Sequence, residues 1–324
     1  MGVTVRSSES GPGIVGRLAP SPTGGLHLGH ARSFLIAWLM ARGAGGRVIL
    51  RVEDIDASRV RPGMAELAML DLRWLGLDWD EGPDVGGPSG PYVQSARLDR
   101  FEDALGLLKR QELVYPCTCT RAEIQRAASA PHAGEEGPIY PGTCSGRSAR
   151  DESRLRGRRF AWRFRVGTGM VGWDDLFKGP IRSDPARVAG DFVVGRSDGA
   201  PSYQLAVVVD DAGMGVNQVV RGDDLVSSTP RQLLLYRAFG FEPPQFGHVP
   251  LVLGPDGRRL AKRDDAIKLS TLRGLGVDPA RLIGTLGRTI GLGEGEPARP
   301  SDWVGLFDPA SLPAGAPVLD PAAW

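Results

Sequence analysis

The chain reads as an α/β protein: a parallel sheet, an inserted α+β subdomain that interrupts it, and a short C-terminal segment. Three observations lead there. Strand-like and helix-like stretches alternate from residue 14 to about 110, the order that builds parallel sheets. A Pro/Gly-rich stretch holding all three cysteines then breaks the alternation, which returns from residue 191.

Taken in order, Ile14-Val15-Gly16-Arg17-Leu18 is a short apolar run that ends in the cluster Pro20-Ser21-Pro22-Thr23-Gly24-Gly25, so it predicts a strand and a loop. Residues 30–42 predict a helix, 47–52 a strand, and the stretches near 63–75 and 95–111 two more helices. Residues 111–190 form the insertion, with strands of its own. Within it Phe160, Trp162 and Phe164 alternate with Ala161, Arg163 and Arg165, which predicts a strand with one aromatic and one basic face. Arg147, Arg150, Arg154, Arg156, Arg158, Arg159, Arg163 and Arg165 make the region locally basic, and both a solvated face and an RNA contact stay open. Asp191–Val194, Tyr203–Asp211 and Gln218–Arg221 predict strands that resume the sheet, followed by a helix over 228–239 and a strand over 249–253.

At 324 residues and 41% hydrophobic, the chain can bury one large core or two moderate ones. Met1–Gly13 is polar and reads as a disordered tail rather than a signal peptide. Phe34–Ala41, the longest uncharged apolar stretch, is too short to span a bilayer, so a soluble cytoplasmic protein with no membrane association is expected. A net charge of +1 provides no general attraction to nucleic acid.

Two loops carry the chemistry. His27-Leu28-Gly29-His30 puts two of only four histidines at the mouth of a helix, after a strand and a Gly-rich loop. Unpaired N–H groups and the helix dipole make such a place an anion site, and two imidazoles can add hydrogen bonds to phosphate oxygens. A helix cap with incidental histidines is the alternative. The second loop, Gly254-Pro255-Asp256-Gly257-Arg258-Arg259-Leu260-Ala261-Lys262-Arg263-Asp264, sets a lysine among arginines in a chain with 35 Arg and four Lys. Lysine is a compact, mobile point charge suited to following a phosphate. Cys117, Cys119 and Cys144 look like metal ligands rather than a disulfide framework. A structural zinc needs four ligands, and His132 and Tyr140 compete for the fourth place.

Together these stretches resemble the catalytic part of class I aminoacyl-tRNA synthetases of the glutamyl type, from about residue 14 to residue 275. His27–His30 is similar to the family's HIGH signature. Arg259-Leu260-Ala261-Lys262-Arg263 is similar to its KMSKS signature, retaining only the second lysine, as Lys262, and no serine. Arg17–Gly24, Leu50–Asp56, and Val220–Leu225 with Thr229–Gln232 match further glutamyl-type stretches. The resemblance implies a Rossmann-type catalytic domain in two halves, 14–110 and 191–258, split by a zinc-bearing insertion over 111–190. After these comes a lysine-loop and short helical segment over 259–324. Only 62 residues follow Lys262, many of them Pro, Gly and Ala, so no helical anticodon-binding domain is expected.

That length points to the truncated branch of the family. Its members activate glutamate with ATP in the absence of tRNA and attach it to the queuosine base in the anticodon of tRNA(Asp). A conventional glutamyl-tRNA synthetase catalytic domain and an inactive RNA-binding paralogue are the alternatives. The implied roles are specific. Arg17, Leu18, Ala19, Pro20, Ser21, Glu53, Tyr203 and Arg221 bind glutamate, with Glu53 on the α-amino group. His27, Gly29, His30 and Lys262 bind ATP, which brings Mg²⁺, and His27, His30 and Lys262 act catalytically. Cys117, Cys119, Tyr140 and Cys144 hold one structural zinc, and the protein is a monomer. Arginines at 17 and 221 suit a second carboxylate, which guanidinium forks grip two bonds at a time. In bland readings, Glu53 ends a strand in an exposed acidic turn, Arg221 makes a surface salt bridge and Tyr203 is core.

Overall fold

The computed structural model describes residues 13–127, 139–260 and 268–320. β1 (Val15–Leu18) leads through α1 (Leu28–Gly43) into β2 (Arg47–Leu50), which pairs parallel with β1 from Val15↔Arg47 to Leu18↔Leu50. Nine of the 16 residues of α1 are buried, so it is a core helix rather than an amphipathic surface one. Its fully buried Arg32 donates to Pro250 O (2.8 Å) and to Thr289 Oγ1 (3.0 Å), tying α1 to the distal part of the chain. α2 (Met64–Trp74) and α3 (Leu98–Arg110) follow.

The chain then enters β3 (Val114–Cys117), α4 (Arg121–Ala127) and β4 (Ala161–Phe164). A hairpin of β5 (Val171–Asp175) and β6 (Gly179–Ser183), the short α5 (Pro185–Val188) and β7 (Phe192–Gly195) come next. β3, β4 and β7 form one antiparallel sheet in that order. The expectation that 191–194 resumes the parallel sheet is therefore corrected. Phe192 pairs with Phe164 and Val193 with Arg163, and the rings of Phe164 and Phe192 stack as a cross-strand pair with centroids 5.2 Å apart. Trp162, Phe164, Phe192 and Val194 share one apolar cluster with Leu205, Val208 and Val219, so this sheet packs on the second half of the parallel sheet.

α6 (Tyr203–Gly213), β8 (Gln218–Gly222), α7 (Thr229–Phe239) and β9 (Gln245–Val249) complete the second half, with β8 and β9 paired parallel. Residues 203–211, expected as a strand from their valine run, are helical. The Ser202 hydroxyl caps the helix by accepting from Leu205 N–H, at 3.3 Å. Helical geometry sends the neighbouring Asp210 and Asp211 to different buried arginines, Arg97 and Arg51, each at 2.6 Å. Packing and ion pairing here override the strand preference of Val207-Val208-Val209. Asn217 joins the two halves: it donates to Val15 O (3.1 Å) and its Oδ1 accepts from Val15 N–H (2.8 Å). β1 thus lies between β2 and β8, and the chain leaves it in opposite directions. A crevice opens at the carboxyl ends of strands around such a switch point.

α8 (Leu269–Gly274) and α9 (Pro279–Arg288) follow, and Leu282, Ile283, Leu286, Trp303 and Leu319 join the apolar cluster of α1. No described helix is long and apolar enough to cross a membrane. The expected tail up to residue 12, Lys262 and His132 lie outside the described residues.

Candidate active site

A cavity of about 580 Å³ opens at the switch point. Arg17, Ala19, Pro20 and Ser21 reach it from the end of β1, Arg221 from β8 and Tyr203 from the start of α6. Glu53 and both histidines of the first loop also line it. Leu18 does not. Side chains alternate along a strand, so Arg17 and Ala19 face the cavity while Leu18, fully buried, joins the apolar cluster beneath. Of the five residues 17–21 expected at glutamate, Leu18 is thus the one that does not line the cavity.

His27 caps α1: its Nδ1 accepts from Gly29 N–H at 3.1 Å, while His30 Nδ1 accepts from His27 N–H at 3.3 Å. The two imidazoles stack with centroids 3.7 Å apart. Glycine at 29 leaves room for this cap, since a Cβ there would meet the His27 ring at 3.0 Å and force the ring to shift. The cap thereby engages the N–H groups of His27 and Gly29. The cap orders two imidazoles at the mouth of a 16-residue helix, beside the cavity.

Charged groups at the cavity are held from below. Arg51, fully buried, donates to Asp211 Oδ1 (2.6 Å) and to Glu53 Oε1 (2.9 Å). Arg17 donates through Nη1 to Val220 O (3.1 Å), with its Nε 3.8 Å from Asp211. Burial raises the pKa of Glu53, against the opposing pull of Arg51 and Arg17. The Glu53 side chain is 9% exposed, which fits a carboxylate on a cavity wall and not an exposed acidic turn. Tyr203, 37% exposed on the same cavity, is not core.

Arg221 is buried, so it is no surface ion pair. Its Nε donates to His248 Nε2 (3.0 Å) and its Nη2 to Thr229 Oγ1 (2.9 Å), while Nη1 has no partner among the described residues. The two-pronged grip expected of Arg221 is thereby reduced to one nitrogen. Burial also lowers its pKa. The second loop reaches the cavity through Arg259, which pairs with Asp224 Oδ2 at 2.7 Å, and through Leu260. Beyond the undescribed 261–267, Lys268 bridges to the His27 backbone.

Sequence reasoning missed the supports: Arg51, Asp210, Asp211, Thr229, His248 and Asp175. Three of them carried a signal. His248 is a histidine inside an apolar strand, and Asp210-Asp211 interrupts an apolar run; each demands a buried partner.

The cysteines converge as expected. Their three sulfurs lie within 4.8 Å of one another, with Cys119 Sγ and Cys144 Sγ 3.6 Å apart. A zinc–sulfur bond of about 2.3 Å sets tetrahedral sulfurs roughly 3.8 Å apart, so the donor set fits a metal. The Tyr140 hydroxyl lies 3.4 Å from Cys117 Sγ and 3.8 Å from Cys119 Sγ, and accepts from Cys144 N–H at 2.7 Å. Burial pushes the Tyr140 phenol up and the Cys119 thiol to about 11. For Cys144 burial is outweighed by hydrogen bonds from the Thr118 backbone, Tyr140 and Cys119, which bring it down to about 7. Arg163 of β4 and Arg165 just after it are engaged locally. Arg163 is buried over the Tyr140 ring at 3.8 Å, and Arg165 donates to Ser145 O at 2.7 Å, so neither makes an RNA-facing stripe.

Residues 13–296 match the family model for class I tRNA synthetases (E and Q), catalytic domain. The chain is 54% identical to a protein of Symbiobacterium thermophilum named glutamyl-Q tRNA(Asp) synthetase, over 95% of this chain and 96% of that one. It is 52% identical to a protein of the same name in Nitratidesulfovibrio vulgaris, over 95% and 96%. Among solved structures it resembles a glutamate tRNA ligase of Elizabethkingia meningosepticum in complex with its amino acid, at a TM-score of 0.81 and 27% identity. That match covers 94% of this chain and 66% of the ligase.

Proposed function

The chain belongs to the class I tRNA synthetases, in the catalytic domain shared by the E and Q enzymes, and we propose that it activates glutamate with ATP and transfers it to queuosine in the anticodon of tRNA(Asp). One observation carries the reading. The stacked pair His27 and His30 shares a single cavity with two arginines, Arg17 and Arg221, and a carboxylate, Glu53. Relatives matched along 96% of their own length bear the glutamyl-Q name, which favours this acceptor over a tRNA 3′ end.

The chemistry follows from the placement. An oxygen of the glutamate α-carboxylate attacks the α-phosphorus of ATP, the bond to the β-phosphate oxygen breaks, and pyrophosphate leaves. Negative charge gathers on the phosphate oxygens, so positioning and preorganised donors do most of the work. His27 and His30 provide these at the helix mouth. Lys262, two residues beyond the cavity-lining Leu260, provides the mobile cation, and Gly29 lets the nucleotide approach the backbone. Mg²⁺ accompanies ATP. Glu53, oriented by Arg51, receives the substrate ammonium, while Arg17 and Arg221, with Tyr203, Ala19, Pro20 and Ser21 around them, receive the side-chain carboxylate. A hydroxyl of queuosine then attacks the acyl carbon and AMP leaves.

One zinc per chain on Cys117, Cys119, Cys144 and Tyr140 is part of the proposal. Bound there, it pins a small loop-rich region whose apolar cluster among the described residues is Tyr115, Cys117, Tyr140 and Cys144, with Cys119 and Ile124 packed against it. The test is to supply ATP and labelled glutamate, then to measure pyrophosphate exchange without RNA and transfer to queuosine-containing tRNA(Asp), queuosine-lacking tRNA(Asp) and tRNA(Glu). Exchange without RNA and label on the first acceptor alone are expected. Exchange that needs tRNA, or charging of tRNA(Glu), overturns the reading in favour of a conventional synthetase.

A further inference from the structure

We infer that Asp175 and His248 are positioning residues for amino-acid selection, which lock the Arg221 guanidinium by holding His248 as its Nδ1–H tautomer. The inference rests on the reading that Arg221 meets the side-chain carboxylate of the substrate. Three elements converge: Asp175 ends β5 of the hairpin, His248 sits in β9 and Arg221 in β8. The side chains of Asp175 and His248 are 0% exposed, so their hydrogen bonds have no water to substitute for them.

The proton positions follow from donor and acceptor counting. Asp175 Oδ1 accepts from three backbone N–H groups: Phe177 (3.1 Å), Lys178 (3.2 Å) and His248 (3.1 Å). Oδ2 faces His248 Nδ1 at 2.5 Å and also accepts, at 3.5 Å, from the Trp173 indole N–H. A carboxylate only accepts, so Nδ1 carries the hydrogen. Arg221 Nε–H, 3.0 Å away, only donates, so Nε2 must keep its lone pair. The imidazole is therefore neutral, as its burial also favours. Thr229 closes the ring, accepting from Arg221 Nη2 at 2.9 Å and lying 3.2 Å from His248 Nε2. Lys178, the nearby cation, is paired with Asp223 at 3.1 Å.

This arrangement has a purpose that a direct carboxylate–arginine pair would defeat. A neutral lone pair orients the guanidinium without cancelling its charge at the point of contact. The charge is thus not neutralised at the contact; Nη1 is buried, has no hydrogen-bond partner among the described residues, and the guanidinium as a whole interacts with Tyr203. The hairpin of the insertion thereby acts on the pocket through Asp175.

Asp175→Asn tests the idea sharply. Three N–H donors converge on the Oδ1 position, so the amide oxygen must sit there and the NH₂ must face Nδ1. The imidazole hydrogen then moves to Nε2, where N–H confronts N–H at Arg221. In glutamate-dependent pyrophosphate exchange we expect the KM for glutamate to rise about tenfold to a hundredfold, with the KM for ATP unchanged. A purely structural role would move both KM values and kcat together. Arg221→Ala separates the two layers: if it leaves glutamate KM unchanged, the reading of Arg221 fails. If it raises that KM and Asp175→Asn does not, the relay fails. Nitrogen-15 NMR of the wild-type His248 ring needs no variant to fold. A protonated Nδ1 and bare Nε2 are expected, and a protonated Nε2 overturns the inference.

Discussion

Arg51→Met removes the cation beneath the pocket while keeping an unbranched stem to fill its space. Arg51 is fully buried and hydrogen-bonds two carboxylates, Asp211 at 2.6 Å and Glu53 at 2.9 Å, whose side chains are only 4% and 9% exposed, with a third, Asp210, 4.0 Å from its Nε. After substitution Glu53 has lost its hydrogen-bonded counter-charge, and Asp211 keeps only Arg17 at 3.8 Å. Breaking a buried pair from one side costs about 3–5 kcal/mol, because a charge is left without compensation. Equilibrium urea denaturation followed by tryptophan fluorescence should show a loss of that size. The pH dependence has a definite sign. Burial already raises the folded-state pKa of Glu53, and Arg51 opposes that rise, so its removal raises the pKa further. A carboxyl whose folded pKa exceeds its unfolded value binds more protons in the native state, so stability recovers as pH falls through the folded pKa. The deficit should narrow from pH 8 towards about pH 5, above the unfolded Glu value near 4.3. A loss under about 1 kcal/mol, typical of an exposed pair, would refute the claim that this network bears on stability. So would a deficit that is constant with pH.

Lys262→Ala should lower exchange turnover by roughly 10²–10³ with little change in glutamate KM, and Lys262→Arg should rescue it only partly; near-normal turnover in the alanine variant would place the catalytic cation elsewhere. Metal analysis should find one zinc per chain, lost in Cys144→Ser. Tyr140→Phe should weaken the metal more than His132→Ala, and the reverse order would make His132 the fourth ligand. Wild-type protein should prefer glutamate over glutamine by roughly 10⁴-fold or more, because a neutral amide leaves buried guanidinium groups unmatched. Comparable exchange rates with the two amino acids would remove the case for a carboxylate pocket.

Local signals in the chain were sufficient wherever the physics is local. The Pro/Gly loop after β1, the His27–His30 cap, the Cys-x-Cys pair and the Lys262 loop are short-range patterns; they pointed to the family, and the first two supply one part of the cavity wall, while residues such as Phe34, Gln94, Arg196 and Leu251 on that wall carried no local signal. Strand alternation alone would have excluded Leu18 from that wall, since it follows from a period of two.

What only the tertiary structure decided is partnership at long range. Residues 203–211 read as a strand by composition, and became a helix because two adjacent aspartates had to reach Arg51 and Arg97, over a hundred positions earlier. Phe192–Gly195 pairs with β4 instead of the parallel sheet, with Phe192 stacked on Phe164 from a strand nearly thirty residues earlier. Arg221 was legible as a cation, but not as one with two of its nitrogens engaged. Its partners His248 and Thr229 are 27 and 8 residues away, and Asp175 lies in an insertion that no local pattern connects to the pocket. A sequence shows which groups need compensation when buried. Which group meets that need depends on how strands and loops far apart in the chain are packed side by side, and that is set by the fold as a whole.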